Sequence, residues 1–97
     1  MKQGDLVQIH VLIEGRVQGV GFRYFILEKA RGLEVTGWVR NTFDDKVEVL
    51  AEGFKDQIAV FLEELKKGPR QALITKFIVE TNDPCSKFAG FSMRNTT

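Results

Sequence analysis

The segment best equipped for chemistry is Gly15-Arg16-Val17-Gln18-Gly19-Val20-Gly21-Phe22-Arg23. Its three glycines within seven residues require a loop. Before it, Val7, Ile9, Val11 and Ile13 alternate with Gln8, His10, Leu12 and Glu14, the period of a half-buried strand. After it, Phe22, Phe25, Ile26, Ala30 and Leu33 fall at helical spacing, with Glu28, Lys29 and Arg31 opposite. The loop therefore delivers the chain to a helix N-terminus, where the first backbone N–H groups lack partners and the helix dipole is positive. Glycines let such a loop take positive φ and let a ligand approach the backbone. Successive N–H groups then form a concave anion site. Arg23, in the first helical turn, adds a planar, permanently charged fork that matches phosphate oxygens, and Arg16 adds a second positive charge.

Two familiar phosphate loops do not fit. The Walker loop needs Lys followed by Ser or Thr after its last glycine, and here Gly21 is followed by Phe22. The dinucleotide fingerprint has another glycine spacing and a parallel βαβ setting. Three glycines alone are also what a tight strand-to-helix connection with an exposed arginine would carry.

The remaining elements must hold this loop in place. Val35 to Thr42, rich in β-branched residues and containing Trp38, predicts a strand. Phe43-Asp44-Asp45 makes a short turn, and Lys46 to Glu52 alternates through Val47, Val49 and Ala51, so the pair is expected to form a hairpin. Phe54, Ile58, Phe61, Leu62 and Leu65 mark the apolar stripe of a second helix. Gly68-Pro69 should stop it, glycine through a left-handed cap and proline because it cannot continue the helix. Gly32 is the matching stop for the first helix. Leu73 to Glu80 predicts another strand, Asn82-Asp83-Pro84 breaks it, and Lys87 to Arg94 supplies a short last one. The order βαββαβ with an added C-terminal strand is the split βαβ pattern of α+β, ferredoxin-like sandwiches, with two helices on one face of a mostly antiparallel sheet. Residues 1–5 read as a flexible tail and 6–97 as a single domain.

Composition narrows the function. The 14 Lys and Arg against 13 Asp and Glu leave a net charge of +1, which gives no global attraction to nucleic acid or anionic membrane. Anion recognition must come from a local cluster. The single cysteine, Cys85, excludes an internal disulfide, an iron–sulfur cluster and a structural zinc site. No apolar run approaches the roughly 20 residues of a membrane helix, and the N-terminus has no signal-peptide core. A soluble cytoplasmic monomer without metal or other cofactor is the expectation. His10, on the polar side of its strand, reads as a surface residue. Cys85 reads as a loop thiol, Asp44 and Asp45 as a solvated turn with too few ligands for a metal, and Trp38 as core. The aromatic and basic pattern of an RNA-binding sheet is absent.

The full string Gly15 to Arg23 resembles the signature loop of acylphosphatases, and Gly37-Trp38-Val39-Arg40-Asn41 resembles that family's second signature at the expected separation. The likeness continues through Val47-Glu48-Val49, Glu52-Gly53, the Phe61-Leu62 helix and Gly68-Pro69. It implies hydrolysis of the mixed anhydride of a small-molecule acyl phosphate, giving carboxylate and inorganic phosphate. It further implies that Arg23 and the backbone amides of Gly15, Arg16, Val17, Gln18, Gly19, Val20, Gly21 and Phe22 bind the phosphate, and that Asn41 positions the attacking water. Inorganic phosphate or sulfate should compete as an anion. A non-catalytic phosphate-recognising module, of the kind found within larger carbamoyl-transfer proteins, is the alternative. Arg23, Asn41 and the absence of an extra domain in 97 residues favour the enzyme. One position departs from the family pattern: Asp44-Asp45 stands in the hairpin where Asp-Gly is frequent, and glycine enters positive φ more easily than aspartate.

Overall fold

The computed structural model describes residues 5–97. The predicted order of elements is the observed one: β1 (Leu6–Arg16), α1 (Phe22–Gly32), β2 (Thr36–Asn41), β3 (Val47–Phe54), α2 (Lys55–Lys67), β4 (Leu73–Asn82) and β5 (Phe91–Met93). The sheet runs β4-β1-β3-β2-β5, antiparallel except where β5 lies parallel to β2. Residues 1–4 of the expected N-terminal tail lie outside the described residues. Asp5 is tied in, its carbonyl accepting the Lys55 N–H at 3.0 Å.

The alternation of β1 decides which face is buried. Ile9, Val11 and Ile13 pack with Val39, Val47, Val49 and Ala51 of the neighbouring strands beneath Phe22, Ile26 and Ala30 of α1 and Ile58, Phe61 and Leu65 of α2. Each fully buried side chain of this size contributes roughly 1.5–3 kcal/mol relative to exposure. Phe22 and Phe61, the largest of them, pin the two helices to the sheet. An ion pair from Lys29 to Glu64, 3.3 Å, links the helices at their rim.

The opposite face carries the polar half of the alternation, and two expectations change there. Trp38 is buried but stands outside the helix-side core. It lies on the open face, beneath the guanidinium groups of Arg40 and Arg94 at 4.6 and 4.9 Å from its ring centre. Period two makes this unavoidable, because Gly37, Val39 and Asn41 take the helix side of β2. His10 is not a free surface residue. Its Nε2 is 2.6 Å from Glu48, which also accepts from Arg40 Nε at 2.7 Å. Burial pushes the Glu48 carboxyl up, but the hydrogen bonds from His10 and Arg40 outweigh it and hold the group below the usual carboxylate range.

Element ends also depart from expectation. β1 runs two residues into the glycine segment, with an irregularity between Glu14 and Gly15 that lets Gly15 and Arg16 keep pairing with β4. Gly32 is the last residue of α1, Leu33 caps it, and the positive φ falls later, at Glu34. Gly68 has the expected positive φ of 66° but a ψ of 178°, so the chain leaves α2 extended instead of closing a left-handed cap. The last strand is shorter than predicted. Ahead of it, the N–H groups of Cys85 and Ser86 donate to the buried Glu52 carboxylate at 2.7 and 3.0 Å.

Candidate active site

Three strand ends meet at one end of the sheet. Ile13 of β1 pairs with Val47 of β3, and Val47 pairs with Asn41 of β2. The loop leaving β1 therefore starts beside the end of β2. Asn41 shares the parity of Val39, so it faces the helices and not the open side. Both facts follow from register, and they bring Asn41 to the N-terminus of α1.

The loop reaches that N-terminus through glycines in the conformation that favours them. Gly19 has φ 74°, and Gly21, the N-cap of α1, has φ 78° and ψ 19°. No side chain caps the helix and no acidic residue occupies its first turn. The first helical bond is Phe25 N–H to Gly21 carbonyl, 3.1 Å. Among the described residues, the backbone N–H groups from Gly19 to Arg23 have no acceptor. A row of unpaired amides at a positive helix end has the charge and the hydrogen-bonding capacity to hold an anion.

Those amides open on a cavity of about 120 Å³ lined by Val17, Gly19, Gly21, Phe22, Arg23, Tyr24 and Asn41. Arg23 and Asn41, 18 positions apart in sequence (41 − 23), thus share one small cavity. Of the other loop positions expected to bind phosphate, Gly15 and Arg16 end β1 in register with Ile74 and Leu73, and they do not line the cavity. Val20 packs against the core. Gln18 turns its side chain away, and its Nε2 donates to the carbonyls of Thr42 at 2.8 Å and Lys46 at 2.9 Å.

These two carbonyls lie at the mouth of the β2–β3 turn. There the Thr42 N–H donates to the Lys46 carbonyl at 2.9 Å, and the Lys46 N–H donates to Thr42 Oγ1 at 3.0 Å. The positive φ falls on Asp45, at 69°. Asp44 stabilises the turn from outside. The Lys46 ammonium, 2.8 Å away, and the Thr42 hydroxyl both donate to its carboxylate, which holds it below its ordinary pKa. With aspartate at position 45 the turn is regular and hydrogen-bonded. The C-terminal segment braces the same end: Thr97 N–H donates to the Asn41 carbonyl at 3.2 Å, and Phe43 N–H to the Thr97 carbonyl at 3.3 Å.

The acylphosphatase family profile matches residues 9–93. The chain belongs to the acylphosphatase family. An acylphosphatase of Salinibacter ruber is 43% identical over 94 residues, covering 97% of this chain and 99% of its own. The crystal structure of an acylphosphatase from Bacillus subtilis superposes with a TM-score of 0.88 at 36% identity, covering 91% of this chain and 98% of that one. Full-length HypF in its phosphate- and nucleotide-bound form also superposes, with a TM-score of 0.88 at 25% identity, covering 98% of this chain but 13% of HypF.

Within this family frame, the side-chain task of Gln18 is what the sequence did not disclose. A glutamine in a glycine loop carries no signal that its amide spans to a hairpin 24 and 28 positions onward. His10 and Cys85 lie elsewhere. His10 is on the open face and Cys85 is an exposed thiol, 3.7 Å from the Gln8 amide. Among the described residues, no group of three or more His, Cys, Asp or Glu could hold a metal ion, and no helix is long and apolar enough to cross a membrane.

Proposed function

We propose that the protein hydrolyses acyl phosphates in the cavity shared by Arg23 and Asn41, without metal or other cofactor. The phosphoryl group sits against the unpaired amides of Gly19 to Arg23, and the Arg23 guanidinium clasps two of its oxygens. The Asn41 side-chain amide holds a water in line with the bond to be broken. Water attacks phosphorus, the bond from phosphorus to the acyl oxygen breaks, and the carboxylate leaves with the electron pair. Its conjugate acid has a pKa of about 4, so it departs without a general acid. Asn41 is neutral and cannot deprotonate water at pH 7. The water proton passes to a phosphoryl oxygen of the substrate itself. What remains for the protein is positioning and charge stabilisation, and arginine, amides and asparagine supply both.

The observation that carries this reading is the convergence of unpaired loop amides, Arg23 and Asn41 on one cavity of about 120 Å³ in an acylphosphatase-family chain. Hydrolysis of benzoyl phosphate in buffer containing excess chelator tests it. Turnover should survive chelation, and inorganic phosphate and sulfate should inhibit competitively. Turnover lost on chelation and restored by magnesium would sink the metal-free mechanism. Inhibition of another pattern would move the anion site elsewhere. The chain also superposes on part of HypF, a protein seen in a phosphate-bound form, and phosphate recognition without turnover is the second reading. The same assay separates the two, since that module would bind phosphate and release no benzoate.

Gln18 acts as a positioning residue in this scheme. Its amide fixes the distance between the loop that holds phosphate and the hairpin that carries Asn41. Gln18→Ala should lower kcat on the order of ten- to a hundredfold, the scale on which a displaced catalytic group is felt, with a much smaller change in phosphate affinity. Gln18→Glu should be worse, because an ionised carboxylate not only loses both bonds but also repels the two carbonyl oxygens. A phosphate Ki that rises in step with the loss of kcat would show that Gln18 merely supports the loop.

A further inference from the structure

Tyr24 belongs to two depressions at once. It lines the cavity of Arg23 and Asn41, and it lines a neighbouring groove of about 320 Å³ with Leu27, Glu28 and Arg31. It is the residue common to both linings, and its side chain is 70% exposed. These four positions are spaced i, i+3, i+4 and i+7, so they form one outward stripe of α1 leading away from the loop. The inner cavity measures about 120 Å³ and is open to the surface, and a phosphoryl group held against its amides would fill much of it. An acyl group joined to that phosphoryl must therefore emerge past the mouth, and the groove continues from there.

The chemistry of the groove selects the kind of acyl group. Tyr24 offers an aromatic face at the entrance, and half-buried Leu27 adds an apolar wall one turn on. Glu28 and Arg31 carry opposite charges, so the groove offers no net attraction to a charged substituent. We infer that this stripe of α1 is the acyl subsite, that it takes uncharged aromatic acyl groups, and that Tyr24 determines this preference by stacking on the ring. The inference rests on the acyl phosphate hydrolase reading given above.

The test compares benzoyl phosphate with acetyl phosphate, which share the phosphoryl group and differ in whether the acyl group can stack. In the wild type the ratio of kcat/KM should favour benzoyl phosphate. Tyr24→Ala should lower that ratio about tenfold, the order of an aromatic pair contact plus its buried area. Tyr24→Phe should keep it, since the ring and not the hydroxyl makes the contact. Leu27→Asp should also lower it, by placing a charge in the groove. A Tyr24→Ala enzyme that turns over both substrates with an unchanged ratio would overturn the subsite and leave the hydrolase reading intact. A wild type that hydrolyses neither substrate would overturn both.

Discussion

Replacing Arg23 by alanine should lower kcat/KM for benzoyl phosphate on the order of a thousandfold and raise the Ki for inorganic phosphate in parallel. Among the described residues, Arg23 is the one charged side chain lining the cavity. It would contact the phosphoryl oxygens in the ground state and through transfer, so its loss should appear in binding and in rate together. Contacts that stabilise charge in a transition state are commonly worth a hundred- to a thousandfold each, and a guanidinium on a phosphoryl group can exceed that. Arg23→Lys should recover only part of the activity, because an ammonium offers a point charge without the two-pronged fork. Steady-state kinetics with phosphate inhibition on the three proteins decide the matter. Full turnover in Arg23→Ala, or an unchanged phosphate Ki, would remove the arginine from the site.

Asn41→Ala should separate binding from chemistry. The loop amides and Arg23 remain, so phosphate Ki should stay within a few-fold of wild type. The water loses its holder, and kcat should fall on the order of a hundredfold. Asn41 lies on the helix side of β2 beside Val39 and Val47, where alanine is tolerated sterically, and its carbonyl can still accept from Thr97. The fold should therefore persist, and far-ultraviolet circular dichroism checks that it does. His10→Ala and Cys85→Ser serve as controls and should keep kcat near wild type, since both groups lie away from the cavity lining. An Asn41→Ala protein with full turnover would end the water-positioning role. A folded but inactive His10 or Cys85 variant would instead point to covalent catalysis.

The fold was legible where periodicity is strong. The alternation of Val7 to Ile13 and the stripe from Ile58 to Leu65 announce a strand and a helix because each must bury one face, and burial imposes the period; Phe54, read as the start of that stripe, instead ends β3. Ends were less legible. Glu34, and not Gly32, takes the positive φ after α1, and the ψ of Gly68 is extended, because helix ends answer to neighbouring packing as much as to the residue present. Trp38 shows a further limit. Its size suggests core, but its parity on β2 sends it to the open face, where two arginines cover it. Composition cannot state parity; only register can.

The site divides along the same line. The sequence by itself determined that the glycines of the loop precede a helix, that Arg23 stands in its first turn, and that the chain carries both family signatures. These are local facts, set by neighbouring residues. The tertiary structure decided what lies across from them. The register Ile13–Val47–Asn41 brings the second signature to the helix N-terminus. The Gln18 amide spans from loop to hairpin, and the hydrogen bonds of Asp44 and Asp45 shape the turn between them. Gly15 and Arg16, in the signature by sequence, end in the β1–β4 ladder and outside the cavity lining. Each of these depends on contacts between residues far apart in the chain. Their geometry exists only once the apolar face of the sheet has been covered and the strands are locked in register.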